Sequence, residues 1–156
     1  HGATTGGGMA FALASDIRII EKNTKMNVAM VKIGLTGCDV GISYFLPRSV
    51  GASIAAELMM TGNFIDAERA EKLNLVSRVV DINQLEDTGA KMAEDMLKTS
   101  PMGLRFTKEG LNISIDASSL ESVVALEDRG QILCSAAGYF KEGIDAFRQK
   151  RGLEYK

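Results

Sequence analysis

The amino-acid sequence predicts an α/β protein in which a mixed part, residues 1–81, precedes an all-helical part, residues 82–156. In the first part, segments rich in β-branched residues (IRIIE, KMNVAMV and LVSRVV) alternate with segments whose apolar residues recur at helical spacing. A run of three glycines leads directly into the first helical segment, as is typical of a turn between a strand and a helix. After Val80 no further segment has a strand pattern, which predicts that the second part is helical.

Local patterns predict the elements of the first part. They are a helix from Gly8 to about Ser15, strands Ile17–Glu21 and Lys25–Val31, a helix beginning at Ile42, a helix over 52–62 that Gly62 closes, a short helix Asp66–Lys72 and a strand Leu75–Val80. We expect Pro47 to interrupt or restart the helix that begins at Ile42, because proline lacks the N–H that a helix interior needs. The strand that normally precedes a glycine turn is expected upstream of His1, so the chain is interpreted as a piece of a longer protein.

The second part consists of amphipathic helical segments. They are predicted over Ile82–Thr99, Pro101–Ile115, Ser119–Ala137 and Lys141–Lys150. Ser100 and Pro101 end the first of them, because the residue before a proline avoids the helical conformation.

Composition excludes several classes of partner. The 156 residues are 46% hydrophobic and 24% charged, which is typical of a globular domain. A net charge of −2 gives no basic surface for nucleic acid or an anionic membrane, and no apolar run reaches the roughly 20 residues of a membrane span. Cys38 and Cys134 fit no zinc spacing, so we predict no metal site. We expect both thiols to be small buried hydrophobes in a reducing compartment, the cytosol or the mitochondrial matrix, and the protein not to be secreted.

The glycine run at Gly6–Gly8 supports two interpretations. Backbone N–H groups at the start of a helix, together with the helix dipole, suit an anion or a developing oxyanion. Alternatively, the glycines only allow a helix and a sheet to pack closely. The local sequence does not decide between the two.

The order of the motifs resembles that of the crotonase (enoyl-CoA hydratase/isomerase) superfamily. HGATTGGGMAFALASDIRI is similar to the family signature, and GLTGCDVGISYFLPRSVG, ELMMTGNFIDAERAEKLNLVSRVV and FKEGIDAFRQKRG follow in the family's order. The resemblance implies a crotonase-like spiral of ββα turns, followed by a helical region used for trimer formation. It covers about the C-terminal three-fifths of a family member, so the N-terminal part of the spiral is expected to be absent, and this piece alone to be inactive.

The resemblance also implies a substrate class and a set of site residues. Family members act on acyl-CoA thioesters and stabilise an enolate between two backbone N–H groups. The middle glycine, Gly7, matches one of these donors, and the other belongs to a segment upstream of this chain. Gly6 and the basic end of the last helix, Lys150 with Arg151, match positions that approach CoA. Coenzyme A would be part of the substrate with no separate cofactor, and the assembly a homotrimer or a dimer of trimers.

Two positions depart from the pattern of the family's hydratases. Those enzymes have one glutamate two residues after the glycine triplet, where this chain has Ala10, and another four residues before the glycine that matches Gly34, where this chain has Met30. Adding water to a double bond requires a base for the water and an acid for the α-carbon. Since neither alanine nor methionine can move a proton, the sequence favours isomerisation over hydration.

Asp39 is the candidate carboxylate in place of the two missing glutamates. Its spacing to Pro47 resembles that of the family's dienoyl-CoA isomerases, and dehalogenase members also have an aspartate near this point. One carboxylate is sufficient to carry a proton between two carbons. The alternative interpretation is that Asp39 only caps the following helix by accepting an N–H two or three residues further along.

Three hypotheses follow from these residues. The first is an enoyl-CoA isomerase or hydratase with Gly7 as oxyanion donor and Asp39 as acid/base. The second is a non-catalytic acyl-CoA-binding or scaffold protein of the same fold, favoured by Ala10 and Met30. The third is a structural piece that assembles through its helices without binding CoA.

Overall fold

A computed structural model describes residues 1–155, which form two compact units. The first unit comprises residues 1–89, and the second begins at Ala90. The sequence places its division at residue 81, just after the last strand, whereas the first compact unit continues into the following helix. Within the described residues, no helix combines the length and the apolar character needed to cross a membrane.

Short strands of the first unit pair into two small sheets within the described residues. They are β1 (Ala3–Thr5), β2 (Ile19–Glu21), β3 (Lys25–Asn27), β4 (Ile65–Asp66) and β5 (Arg78–Val80). In one sheet β3 lies between β1, to which it is parallel, and β4, to which it is antiparallel. In the other, β2 pairs in parallel with β5. Parallel neighbours need a crossover, and the first helix supplies it between β1 and β3.

The helices of both units follow the predicted order. They are α1 (Gly7–Ala14), α2 (Ile42–Val50), α3 (Ala52–Thr61), α4 (Ala67–Lys72), α5 (Leu85–Leu97), α6 (Pro101–Ser114), α7 (Leu120–Ala136) and α8 (Tyr139–Gln149). Gly62 ends α3 in the left-handed conformation, with φ of 59°, and its N–H donates to the Leu58 carbonyl at 3.0 Å. The predicted C-cap is therefore confirmed.

Two predictions about strands were wrong. The strand that precedes the glycine turn lies within the chain, as β1, and not upstream of His1. The strand predicted over Lys25–Val31 ends at Asn27 and continues as a 3₁₀ turn over Ala29–Ile33. Both β1 and the shortened β3 have only three residues, too few for a periodic pattern, and their mutual pairing defines them.

The prediction that Pro47 interrupts its helix was also wrong, because α2 continues through Pro47 to Val50. A proline inside a helix removes one backbone hydrogen bond. Packing offsets this loss, since Leu46 is fully buried and Val50 packs against the core on the far side of the proline.

The hydrophobic core lies mainly in the first unit. Its largest fully buried apolar side chains are Met9, Met26, Ile42, Leu46 and Leu75. In contrast, α5, α6 and α7 contain no buried residue. Cys38 is exposed and Cys134 half-buried, both as free thiols, so the expectation of a buried Cys38 was wrong. The physical reason is that Cys38 lies in the loop before α2 and not in a packed element.

Candidate active site

The carboxyl ends of two parallel strands define the candidate site. Thr5, the last residue of β1, lies opposite Asn27, the last residue of β3. In α/β sheets, ligands bind in the crevice beyond the carboxyl ends of parallel strands. At this edge β1 continues into the glycine run, and β3 continues into the 3₁₀ turn that contains Met30.

Gly6 makes the turn from β1 into α1. Its φ of 52° and ψ of −119° belong to a region that residues with a Cβ rarely adopt. A Cβ at this position would lie 3.5 Å from the Sδ atom of Met30. The turn therefore requires glycine for its backbone conformation, and it packs against Met30.

Gly7 and Gly8 form an open helix N-terminus. The N–H of Ala10 donates to the Gly6 carbonyl at 3.2 Å, and no side chain caps the helix. The amides that precede Ala10 are the ones that a helix leaves without intrahelical acceptors. No heavy atom lies within 4 Å of where a Cβ on Gly7 or Gly8 would sit, so the space beside both residues is open. Such amides can donate to an anion or a developing oxyanion.

Apolar side chains occupy both positions at which the hydratases have glutamates. Ala10 is 5% exposed and Met30 is 8% exposed, and both belong to the hydrophobic core cluster. An ionised carboxylate in such surroundings would be costly without a partner. Neither side chain can supply or accept a proton.

Asp39 is exposed in the loop before α2, a helix that packs against α1. One of its carboxylate oxygens, Oδ1, accepts the N–H of Val40 at 3.0 Å, and its backbone carbonyl accepts the N–H of Ile42 at 2.9 Å. The N-cap of α2 is Gly41, and no side chain caps the helix. The alternative in which the Asp39 side chain caps α2 was therefore wrong. Within residues 1–155, no cationic side chain pairs with this carboxylate.

The backbone around Asp39 is strained. Val40 has φ of 36°, which is an outlier for a β-branched residue. Gly37 lies so close to α3 that a Cβ there would be 2.8 Å from the carbonyl oxygen of Met59. A Cβ on Gly41 would lie 3.0 Å from the Phe45 ring. Strained segments concentrate at functional sites, yet no sequence signal marks Val40 as one.

The remaining predicted site residue, Lys150, lies in the second unit, at the C-terminal end of α8. It is exposed, and within the described part of the chain its ammonium pairs with no carboxylate. Arg151, which the sequence groups with Lys150, instead donates to Glu142. The structure thus separates two cations that the sequence motif treats alike.

The candidate site residues are thus the open N-terminus of α1, whose amides can donate to an anion, the buried Ala10 and Met30, and the exposed Asp39. The family model described as enoyl-CoA hydratase/isomerase matches residues 1–156. The chain belongs to the enoyl-CoA hydratase/isomerase family.

Individual relatives agree with this assignment. The chain is 38% identical over 152 residues to a probable enoyl-CoA hydratase of Mycobacterium tuberculosis, covering 97% of this chain and 53% of the relative. It is 32% identical over 155 residues to the 1,2-epoxyphenylacetyl-CoA isomerase of Escherichia coli, covering 99% and 58%. The crystal structure of an enoyl-CoA hydratase from Bacillus anthracis matches with a TM-score of 0.95 and 29% identity, covering 99% of this chain and 59% of that one. The chain thus spans little more than half the length of these relatives.

Proposed function

We propose that the natural full-length protein isomerises a double bond in an acyl-CoA thioester and does not hydrate it. One observation in particular supports this proposal. The two positions that hold glutamates in the hydratases are buried and apolar, as Ala10 and Met30, while Asp39 offers an exposed carboxylate in a strained loop. Hydration needs two proton-transfer groups at the reacting carbons, whereas isomerisation needs one.

The backbone amide of Gly7 is the proposed oxyanion donor. Removing a proton next to a thioester carbonyl places negative charge on the thioester oxygen, and preorganised N–H groups stabilise that charge. The open space beside Gly7 and the absence of a capping side chain on α1 support this role. Gly6 contributes by making the turn from β1 into α1.

Asp39 is the proposed acid/base. Its carboxylate would remove a proton from the α-carbon of a β,γ-unsaturated thioester, and the electron pair would delocalise onto the thioester oxygen as a dienolate. The resulting carboxylic acid would then return the proton to the γ-carbon, which moves the double bond into conjugation. The step consumes neither water nor a redox partner. The relative named 1,2-epoxyphenylacetyl-CoA isomerase, 32% identical over 155 residues, supports only the broader point that a similar protein isomerises a CoA thioester.

Coenzyme A enters as part of the substrate, and Lys150 is the proposed contact for its phosphates. A lysine ammonium is a compact charge that suits a phosphate group. Its lack of a carboxylate partner within residues 1–155 supports this assignment. The compartment, cytosol or mitochondrial matrix, stays a prediction.

Replacing Asp39 tests the proposal. Asp39→Asn should lower turnover of the preferred enoyl-CoA by about 10²–10⁴-fold, the usual contribution of a positioned acid/base. Glu57→Gln is the matched control, because Glu57 is an exposed carboxylate of the same unit that pairs with Arg69 at 2.8 Å. We expect the control to retain full turnover. Equal activity of Asp39→Asn and the natural protein would eliminate Asp39 as the acid/base.

The second candidate function is acyl-CoA binding without catalysis. The same buried Ala10 and Met30 favour it, because they remove the proton-transfer groups that the hydratases use. Calorimetric titration with acetyl-CoA, alongside a panel of enoyl-CoA substrates, separates the two functions. Binding without turnover of any substrate in the panel would favour this candidate over the isomerase.

We further propose assembly into a homotrimer or a dimer of trimers. The lack of buried residues in α5, α6 and α7 supports assembly, since these helices expose large apolar side chains such as Leu111 and Ile132. Sedimentation of the natural protein should give a multiple of three subunits. A stable monomer at micromolar concentration would contradict the proposal.

A further inference from the structure

The chain reverses direction at the C-terminal end of α8. Lys150, the residue after the helix, has φ of 53° and ψ of 38°, a left-handed conformation that is unfavourable for a residue with a side chain. Its N–H donates to the Phe147 carbonyl at 3.2 Å, and that of Arg151 donates to the Ala146 carbonyl at 3.1 Å. These two hydrogen bonds form the usual pattern of a left-handed helix end, and contacts of the following residues add to it.

A bidentate ion pair fastens the residues that follow the turn to α8. The Arg151 guanidinium donates to both carboxylate oxygens of Glu142, at 2.6 and 2.8 Å. Glu142 also accepts the backbone N–H of Glu154 at 2.8 Å. The hydrogen bonds from Arg151 and then Glu154 lower the pKa of the Glu142 carboxyl to about 2, so this group remains ionised at ordinary assay pH.

An aromatic contact adds a second attachment. The ring of Tyr155 lies 5.5 Å from that of Tyr139, at the start of α8. Its hydroxyl lies 3.7 Å from where a Cβ on Gly143 would sit. Residues 151–155 are therefore held against one face of α8 at two points, and the conformation of Lys150 is fixed between the helix and this attached segment.

These contacts give the two neighbouring cations different roles. The Glu142 carboxylate engages Arg151, while Lys150 is exposed and has no carboxylate partner within residues 1–155. We propose that Glu142 is a positioning residue that acts through Arg151 to fix the helix end and present Lys150 to the phosphates of the substrate's CoA moiety. This inference rests on the proposed function, in which Lys150 binds those phosphates.

The same helix contains an ion pair that serves as a control. Lys141 donates to Asp145 at 2.7 Å, one helical turn apart. Asp145 acts on Arg151 only through a minor electrostatic attraction, whereas Glu142 binds Arg151 by hydrogen bonds. Asp145→Asn thus removes a carboxylate and an ion pair from α8 and leaves the hydrogen bonds between Arg151 and Glu142 in place. A general loss of helix stability would affect both variants, whereas mispositioning of Lys150 would affect only Glu142→Gln.

The test compares two substrates on the natural full-length protein. One is the preferred enoyl-CoA, and the other carries the same acyl group on pantetheine, which lacks the phosphates. Glu142→Gln and Lys150→Met should each raise KM for the CoA substrate about three- to tenfold with kcat unchanged. The double variant should match Lys150→Met alone, because both substitutions remove one interaction. With the pantetheine thioester, neither variant should change KM, and Asp145→Asn should be neutral with both substrates.

Several outcomes would overturn the inference. An unchanged KM in Glu142→Gln, a rise in KM equal for both substrates, or additive effects in the double variant would each assign Glu142 a structural role only. The proposed function fails separately, if the natural protein neither binds nor converts any CoA thioester. Turnover of a CoA thioester with Glu142→Gln unaffected would defeat only the positioning role.

Discussion

The two units of this chain differ in how they bury apolar residues. In the first unit, buried side chains from α1, α2, α3 and the strands form one core cluster. In the second, Ala146 of α8 is buried, whereas α6 and α7, like α5 which begins in the first unit, contain no buried residue. Local features are nevertheless similar, since side chains cap α4 in the first unit and α6 and α7 in the second.

This difference indicates a division of roles. The packed core of the first unit holds the start of α1 and the strained loop at Val40 in place. The second unit offers helices with exposed apolar faces and one cation, Lys150, fixed at a helix end. The exposed apolar side chains of the second unit are typical of a surface that associates with another protein surface.

Truncating one leucine in each unit should give the largest difference in the free energy of unfolding between the two units. Leu46 in α2 is fully buried, and Leu111 in α6 is 63% exposed. Leu46→Ala should lower the free energy of unfolding of the 156-residue chain by about 2–5 kcal/mol, the usual cost of a core cavity. Leu111→Ala should change it by no more than about 0.5 kcal/mol. Urea unfolding followed by circular dichroism measures both, and equal losses would refute the contrast in burial.

A smaller effect is expected from Arg18, which links two elements of the first unit. Its Nε donates to the Leu75 carbonyl at 2.6 Å, and its Nη1 donates to the Ser15 carbonyl at 2.7 Å, at the end of α1. Partial burial lowers the pKa of this guanidinium. Arg18→Met should cost about 1.5–3 kcal/mol, because a charged donor is lost from the part-buried Leu75 carbonyl and another from the end of α1.

Arg18→Lys is the control for that substitution. It keeps the charge but lacks the planar fork, so we expect it to recover only part of the lost stability. Thermal unfolding measures all three proteins. Unchanged stability in Arg18→Met would show that water satisfies the carbonyls equally well.

Removing a helix cap should cause the smallest loss of stability, and the loss should be similar in the two units. The Oδ1 atom of Asp66 accepts the N–H of Arg69 at 2.8 Å, and the Oγ of Ser119 accepts the N–H of Ser122 at 3.2 Å. Asp66→Ala and Ser119→Ala should each cost about 1 kcal/mol in urea unfolding, since a cap is a local interaction. Replacement by glycine should cost only a few tenths of a kcal/mol. A severalfold larger loss in one unit would mean that its cap is coupled to tertiary packing.

Much of the helical structure could be predicted from the sequence, because long periodic segments and caps are local signals. The glycine that ends α3 and the start of α6 at Pro101 are examples. The strands β1 and β4 were not predictable, since segments of three and two residues are specified by their pairing with β3. The course of α2 through Pro47 depends on tertiary burial of Leu46, which no local pattern contains.

The candidate site residues were chosen from the sequence, whereas their geometry required the structure. The glycine turn and the replacement of both glutamates are visible in the sequence at Ala10 and Met30. The contact between Gly6 and Met30 and the strain at Val40 arise from how the loops after β1 and β3 pack, so they required the structure. That Arg151 is paired and Lys150 is not likewise depends on Glu142, which lies nine residues before Arg151 and eight before Lys150.

We propose that Asp39 alone moves the proton and that no water is added, because Ala10 and Met30 cannot activate water. The most direct measurement incubates the natural full-length protein with a β,γ-unsaturated acyl-CoA in heavy-oxygen water and analyses the products by mass spectrometry. The product of the proposed isomerisation is the conjugated α,β-unsaturated thioester without the isotopic label. Labelled 3-hydroxyacyl-CoA as the main product would contradict it, because a buried alanine and a buried methionine cannot activate water.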